Sequence, residues 1–76
     1  MFSKNLFGQR LRECRLSAGE TQTQLGEVLS IHKSRVSAME SGVNTTTAEK
    51  IALICEHYQV SADYLLGLSD NPEPRE

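Results

Sequence analysis

Hydrogen-bond donors and positive charge are concentrated in residues 32–41 of this sequence, in the run HKSRVSAMES. Lys33 and Arg35 supply the positive charge, and serines at 34, 37 and 41 stand beside them. Ammonium, guanidinium and hydroxyl groups all bind phosphate oxygens, and the run does not assemble the nucleophile and acid–base pair that covalent catalysis needs. The segment is therefore better suited to contact with a polyanion than to covalent chemistry.

Residues that could support catalysis are scattered along the chain. Cys14 and Cys55 form no CxxC pair, and each falls on an apolar stripe, which is typical of thiols in a hydrophobic core. His57 is expected on the surface of a helix, without a role. Since no nucleophile, acid–base pair, metal-ligand cluster or phosphate loop assembles, we expect no enzyme activity, no metal and no cofactor.

Length and charge indicate one small domain with an uneven charge distribution. The chain has 76 residues and a net charge of −2. Residues 1–42 hold six basic and four acidic residues, a net charge of +2, whereas residues 43–76 hold two basic and six acidic, a net charge of −4. A polyanion would therefore meet the first half. The folded domain should cover residues 1–68, and the proline-containing acidic stretch 69–76 should be a tail or the start of a linker.

No apolar run approaches the length of a membrane span, and no apolar leader follows the first residues. The sequence therefore predicts a cytoplasmic protein that does not bind membranes and whose thiols stay reduced.

Apolar residues recur three and four positions apart along the chain, and this period predicts an all-α domain of five short helices. The first helix should start after Ser3 and stop at Gly19. The second should open at Thr21, whose spacing to Gln24 matches a capping box.

A tight turn at residues 30–32 should join the second helix to a third, with Ile31 in the core. The third helix is predicted over residues 33–41, closed by Gly42. Gly26 should allow the second and third helices to approach closely, which gives a unit of the helix-turn-helix kind.

The remaining two helices are predicted from their capping residues. Thr46, three positions before Glu49, should cap the fourth helix, and Ser61 should cap a fifth that stops at Gly67. The expected buried residues, one stripe per helix, are Phe7, Leu11, Cys14, Ala18, Leu25, Val28, Leu29, Ile31, Val36, Met39, Ile51, Ala52, Ile54, Cys55, Tyr58, Tyr64, Leu65 and Leu66.

The register of these segments resembles the λ-repressor and Cro type, or XRE family, of helix-turn-helix DNA-binding domains. The resemblance covers roughly residues 6–69 and lies in TQTQL at 21–25, VSAMESG at 36–42 and VSADYLLG at 60–67. It implies a compact five-helix λ-repressor-like domain that binds double-stranded DNA, with the third helix in the major groove. It also implies a transcriptional regulator, specifically a repressor, that binds an inverted-repeat operator as a homodimer.

Three positions depart from the family pattern. Ser30 stands where a turn glycine is common, Thr46 stands where proline is frequent, and Glu20 occupies a position that is usually apolar. None of these changes removes a residue expected to contact DNA.

The resemblance also implies roles for individual residues. Gln22 matches a glutamine whose amide reaches a DNA phosphate, and Arg15 and Glu40 match an internal ion pair. Lys33 is open between a guanine edge and a phosphate oxygen. The candidates for base contact are His32, Lys33, Ser34, Ser37 and Ala38. The candidates for phosphate contact are Gln22, Arg35, Ser41, Asn44, Thr45 and Thr46.

The dimer surface and the partner are less well specified. The family often pairs through the end of the fourth helix and the last helix, which here hold Tyr58, Val60, Tyr64, Leu65 and Leu68; core packing explains most of these equally well. An alternative function shares the fold: an antitoxin-type module that binds a protein partner, not identified by the sequence, and autoregulates its operon.

Overall fold

Five α-helices form the regular structure of the computed structural model, which describes residues 1–74. They are α1 (Lys4–Ser17), α2 (Gln22–Leu29), α3 (Lys33–Glu40), α4 (Ala48–Tyr58) and α5 (Ala62–Leu65). The predicted all-α fold is confirmed, and α3 ends one residue earlier than expected, with Ser41 as its C-cap. Arg75 and Glu76, the end of the predicted tail, lie outside the described residues.

Side-chain caps fix where most of the helices begin. The capping box at α2 is confirmed, because the Thr21 hydroxyl accepts from the Gln24 backbone N–H at 3.1 Å and the Gln24 side chain accepts from the Thr21 N–H at 2.8 Å. Ser61 likewise accepts from the Tyr64 N–H at 3.1 Å. These local bonds need only the correct spacing along the chain, so the sequence specifies them.

The cap of α4 is Thr47, not Thr46 as predicted. The Thr47 hydroxyl accepts from the backbone N–H of Lys50 at 3.3 Å, and Glu49 is too early in the helix to complete a capping box. The ammonium of Lys50 donates to the carbonyl of Leu29 at 3.0 Å, which joins the first turn of α4 to the last turn of α2. This long-range bond favours the later start.

The core contains one or more residues from every helix. The fully buried apolar residues are Phe7, Leu11, Leu25, Leu29, Val36, Met39, Ile54 and Leu65. Around them pack the partly buried Val28, Ile31, Ile51, Cys55, Tyr58 and Val60.

Some predicted burial is wrong. Ala18 is exposed because it is the C-cap of α1, beyond the last packed turn. Ala52 is exposed because the inward stripe of α4 runs through 51, 54, 55 and 58, which leaves 52 outside it. Leu65, considered for the dimer surface, is fully buried.

Two glycines allow the helices around the turn to approach closely. A Cβ at Gly26 would lie 2.6 Å from the carbonyl oxygen of Ile31, as expected for the contact of α2 with the start of α3. A Cβ at Gly8 would fall on the carbonyl oxygens of Met39 and Glu40, 2.7 Å from the latter, so α1 packs directly on the backbone of α3. The turn itself passes through Ser30, whose φ of 57° is left-handed.

The segment after α5 is joined to the helices by Arg10. Its guanidinium donates to the carbonyls of Tyr64 at 2.5 Å and Ser69 at 2.8 Å, and to the carboxylate of Asp70 at 2.9 Å. The Ser61 N–H also donates to the carbonyl of Pro72 at 2.9 Å. The domain boundary at residue 68 stays a prediction, although contacts continue past it. Within the described part of the chain, no helix is long and apolar enough to cross a membrane.

Candidate nucleic-acid interface

Helix α3 has one buried and one exposed face. Val36 and Met39 are at most 2% exposed and pack into the core. On the other face Lys33, Ser34, Arg35 and Ser37 are exposed, and Ala38 is half-buried. The side chains beside the cations Lys33 and Arg35 on this face are therefore small and mostly polar. They allow the backbone of α3 to come close to a flat or grooved partner.

His32 caps the start of α3. Its Nδ1 accepts from the backbone N–H of Ser34 at 3.1 Å and lies 2.9 Å from the Ser34 hydroxyl. Because Nδ1 accepts a hydrogen bond, the proton of the neutral ring is on Nε2. His32 is exposed, so a donor stands at the start of α3 where a base or phosphate would pass. Capping and contact are thus compatible.

An internal ion pair joins α1 to α3. Arg15 Nε donates to Glu40 Oε2 at 2.6 Å and Nη2 donates to Oε1 at 3.0 Å, with side chains only 9% and 4% exposed. Arg15 Nη1 donates to the carbonyl of Glu20 at 2.7 Å. The hydrogen bonds with Glu40 raise the pKa of Arg15 above its usual value. Arg15 therefore stays charged, and its two hydrogen bonds to Glu40 fix α3 against α1 beside the close approach at Gly8.

Gln22, the first residue of α2, belongs to the same cluster. Its Nε2 donates to Glu40 Oε1 at 3.2 Å, and the side chain is half-buried. An amide nitrogen carries two hydrogens, so one remains for a ligand. The first backbone N–H groups of an α-helix also lack partners within the helix, which favours an anion at this position.

The loop after α3 packs back onto that helix. The backbone N–H groups of Val43 and Asn44 donate to the carbonyl of Ala38 at 3.0 and 3.3 Å. The Ser41 hydroxyl donates to the carbonyls of Ser37 and Ala38 at 3.0 and 3.2 Å, so its proton is already used within the helix. Of the phosphate-contact candidates here, Asn44 and Thr45 are exposed, whereas Thr46 is half-buried.

A polar cleft lies between α1, the start of α2 and the end of α3. Its volume is about 260 Å³. It is lined by Arg12, Arg15, Gln22, Ser37, Glu40 and Ser41. Arg12 was not among the predicted site residues. Arg12 and Arg15 are three positions apart and therefore lie on one face of α1, and this spacing is the feature of the sequence that could have identified Arg12 as a site residue.

A second cluster, just after the C-terminal end of α1, includes His57, which is exposed as expected but has a structural role. The carboxylate of Glu20 lies 2.5 Å from His57 Nε2 and accepts from the Tyr58 hydroxyl at 2.6 Å. His57 therefore links α4 to the turn between α1 and α2, and the polar Glu20 has partners. Burial raises the pKa of Glu20, but the hydrogen bonds from Tyr58 and His57 outweigh it and leave that pKa below its usual value. Burial, with the bond to Glu20, raises the pKa of Tyr58.

The cysteines behave as core thiols. Cys14 and Cys55 are both half-buried, and burial is the main cause that raises the pKa of each. Thiols with a raised pKa are poor nucleophiles. Within residues 1–74, no three His, Cys, Asp or Glu side chains converge as a metal site.

Comparison with known proteins points to one family. A family model described as a helix-turn-helix domain matches residues 6–66. The HTH-type transcriptional regulator YobD of Bacillus subtilis (strain 168) is 36% identical over 70 residues, which are 92% of this chain and 62% of YobD. The HTH-type transcriptional regulator ImmR of the same organism is 37% identical over 60 residues, 79% of this chain and 47% of ImmR. The chain thus spans less than two thirds of the length of these relatives.

Among solved structures, the P22 c2 repressor in complex with a synthetic operator superposes with a TM-score of 0.75 at 28% identity. The match covers 80% of this chain and 92% of that chain.

Proposed function

The chain belongs to the helix-turn-helix family of λ-repressor-like domains, and on that premise we propose that it binds double-stranded DNA sequence-specifically as a transcriptional regulator. Helix α3 is the recognition helix, inserted in the major groove. The observation that carries the proposal is the exposed, cationic and serine-rich face of α3, which the Arg15–Glu40 pair holds beside the start of α2.

Base contacts come from the exposed start and middle of α3. The candidates His32, Lys33, Ser34 and Ser37 are all exposed, and Ala38, though half-buried, can offer its methyl group to a thymine methyl. Serine hydroxyls discriminate weakly between bases. Sequence preference therefore depends most on Lys33, through a guanine edge, and less on the small side chains.

Phosphate contacts come from residues beside the exposed face of α3. Gln22, at the start of α2, makes one, and the loop residues Asn44, Thr45 and Thr46, which follow α3, make others. Arg35 is exposed and contributes charge without base information. Ser41 can accept but not readily donate, because its proton is bound within α3, so it is the weakest member of the set.

The protein acts as a homodimer on an inverted repeat, and as a repressor. Leu68 is 74% exposed and Tyr58, Val60 and Tyr64 are half-buried, so the end of α4 and the segment around α5 still offer apolar surface. A recognition helix bound over a promoter excludes polymerase sterically. The P22 c2 repressor, whose fold is similar, was solved with a synthetic operator.

Selection of bound duplexes from a random library tests this proposal. At fixed salt, wild-type protein should enrich an inverted repeat with half-sites about 10 bp apart, since a dimer places its two recognition helices one DNA turn apart. Lys33→Ala should change the enriched bases, whereas Arg35→Ala should lower the yield with the same bases.

The other outcomes separate the alternatives. Enrichment of a single half-site would refute the dimer, and sequence-blind binding would refute specific recognition and favour the antitoxin-type module. Repression is tested by in vitro transcription from a promoter that overlaps the selected site; a rise in transcript would refute it.

A further inference from the structure

The cleft between α1, α2 and α3 carries one feature that the expected contacts do not use, the side chain of Arg12. It lines the cleft together with Ser37, which also lies on the exposed face of α3, and with Gln22. The cleft is therefore continuous with the surface assigned to DNA. It extends that surface onto α1.

The charge in the cleft is not balanced. Arg15 and Glu40 neutralise each other through two hydrogen bonds, and the third donor of Arg15 is bound by the Glu20 carbonyl. Arg12 is exposed and makes no side-chain hydrogen bond or ion pair within residues 1–74. Arg12 therefore leaves the cleft with an uncompensated positive charge.

The donors around that charge match the oxygens of a phosphodiester. The guanidinium of Arg12 offers up to five N–H groups, and the amide of Gln22 retains one N–H after its bond to Glu40. Within residues 1–74 the Ser37 hydroxyl makes no hydrogen bond, unlike the Ser41 hydroxyl, whose proton is bound by its own helix. Guanidinium and phosphate pair in a bidentate geometry with shorter bonds than neutral groups make.

We propose that Arg12 binds a phosphate of the DNA backbone over this cleft, so that α1 becomes a further DNA-contacting helix. The inference rests on the proposed function, because it requires α3 in the major groove. Once α3 is there, the cleft faces the strand that borders the groove on the Gln22 side. Arg12 from α1 and Gln22 from α2 then both bind that strand.

Salt dependence of binding tests the proposal, because each neutralised phosphate contributes about 0.9 to the slope of log affinity against log salt concentration. Arg12→Ala should bind the selected duplex more weakly than wild type and reduce the slope by about 0.9 per protomer. The ratio of the wild-type to the Arg12→Ala affinity should then fall when salt rises from about 50 to about 200 mM, by about 3.5-fold per protomer and about 12-fold for the homodimer. Arg12→Lys should keep the wild-type slope, and the preferred sequence should stay the same in both variants.

Ala52→Glu is the matched control. It changes the net charge by the same amount as Arg12→Ala, at an exposed position of α4 away from the cleft. If Ala52→Glu and Arg12→Ala reduce the slope equally, net charge alone explains the effect and the proposal is wrong. Circular dichroism should show equal helix content in all variants.

The same data separate this proposal from the proposed function and from a free-anion site. If wild-type protein binds no duplex, the proposed function fails. If wild type binds and Arg12→Ala has the wild-type slope, the inference fails while the function stands. An NMR titration with inorganic phosphate should leave the Arg12 side-chain signals unshifted at low millimolar concentration. If phosphate causes saturable shifts of the Arg12 signals while Arg12→Ala keeps the wild-type salt slope for DNA binding, the cleft is a site for a free anion and the proposal is wrong.

Discussion

The buried ion pair between Arg15 and Glu40 determines how α3 is presented, and its removal has a calculable cost. Glu40→Gln keeps the shape of the side chain but removes its charge. The Arg15 guanidinium, 9% exposed, would then face a neutral amide in place of a carboxylate. The amide also offers only one acceptor oxygen for the donors that Arg15 and Gln22 now direct at Glu40.

Breaking one side of a buried ion pair costs about 3–5 kcal/mol, because the remaining charge is left uncompensated. A domain of this length has a free energy of unfolding of about 4–11 kcal/mol. The substitution should therefore remove a large part of the stability and lower the melting temperature by at least about 12 °C. The same reasoning predicts a similar loss for Arg15→Met. The double substitution Arg15→Met with Glu40→Met should cost about 2–3 kcal/mol less than the sum of Arg15→Met and Glu40→Met measured singly, since no buried charge is left.

Urea unfolding followed by circular dichroism measures these free energies. Glu27→Gln is the control, because it removes a carboxylate that is exposed on α2, and it should change stability by no more than about 0.5 kcal/mol. A loss below about 1 kcal/mol for Glu40→Gln, or a double variant whose cost equals the sum, would refute the reasoning. In either case the pair would be solvated and would not fix α3.

Three further substitutions test other parts of the fold. Ser30→Gly should stabilise the domain by about 1 kcal/mol in urea unfolding, because a side chain at a φ of 57° is strained and glycine is not; an unchanged midpoint would contradict this. Gly8→Ala should destabilise it by about 1–3 kcal/mol in thermal unfolding, since the new Cβ meets backbone carbonyls that cannot move aside; equal or higher stability would show that α1 and α3 can separate. Glu20→Gln should flatten the acid side of the stability–pH curve. The pKa of Glu20 is lowered from 4.5 in the folded state, so its contribution is complete above pH 4.5 and is lost as pH falls through the lowered value; parallel curves for variant and wild type would disprove the role of this carboxylate.

Features governed by residues three or four positions apart were predictable from the sequence. The capping box of Thr21 and Gln24 is confirmed in detail, and so are the Ser61 cap and the core stripe of α3. In each case the partners lie within one helical turn, so spacing alone determines that they meet. The close approach at Gly26 was also predictable, because a short turn joins α2 directly to α3.

Features governed by distant residues were not predictable in the same way. Arg10 meets partners 54 to 60 positions away, and Glu20 meets Tyr58 across 38 positions. The shift of the α4 cap to Thr47 is linked to such a contact, from Lys50 to the carbonyl of Leu29. A polar residue at a usually apolar position, as at Glu20, was the visible sign of a buried partner, but the partner itself was not visible.

The division of the cations makes the proposed DNA binding compatible with a net charge of −2. Arg10 and Arg15 belong to the excess of basic residues in the first half, yet both are bound by carbonyl and carboxylate oxygens of the protein. The cations that remain on the proposed surface are Lys33, Arg35 and Arg12. If each neutralised one phosphate, the slope of log affinity against log salt would be about −2.7 per protomer and about −5.4 for the proposed homodimer; if Lys33 reads a base, it would be about −1.8 and about −3.6. The proposed affinity therefore depends also on the fit of α3 in the groove, and that fit depends on the ion pair behind it.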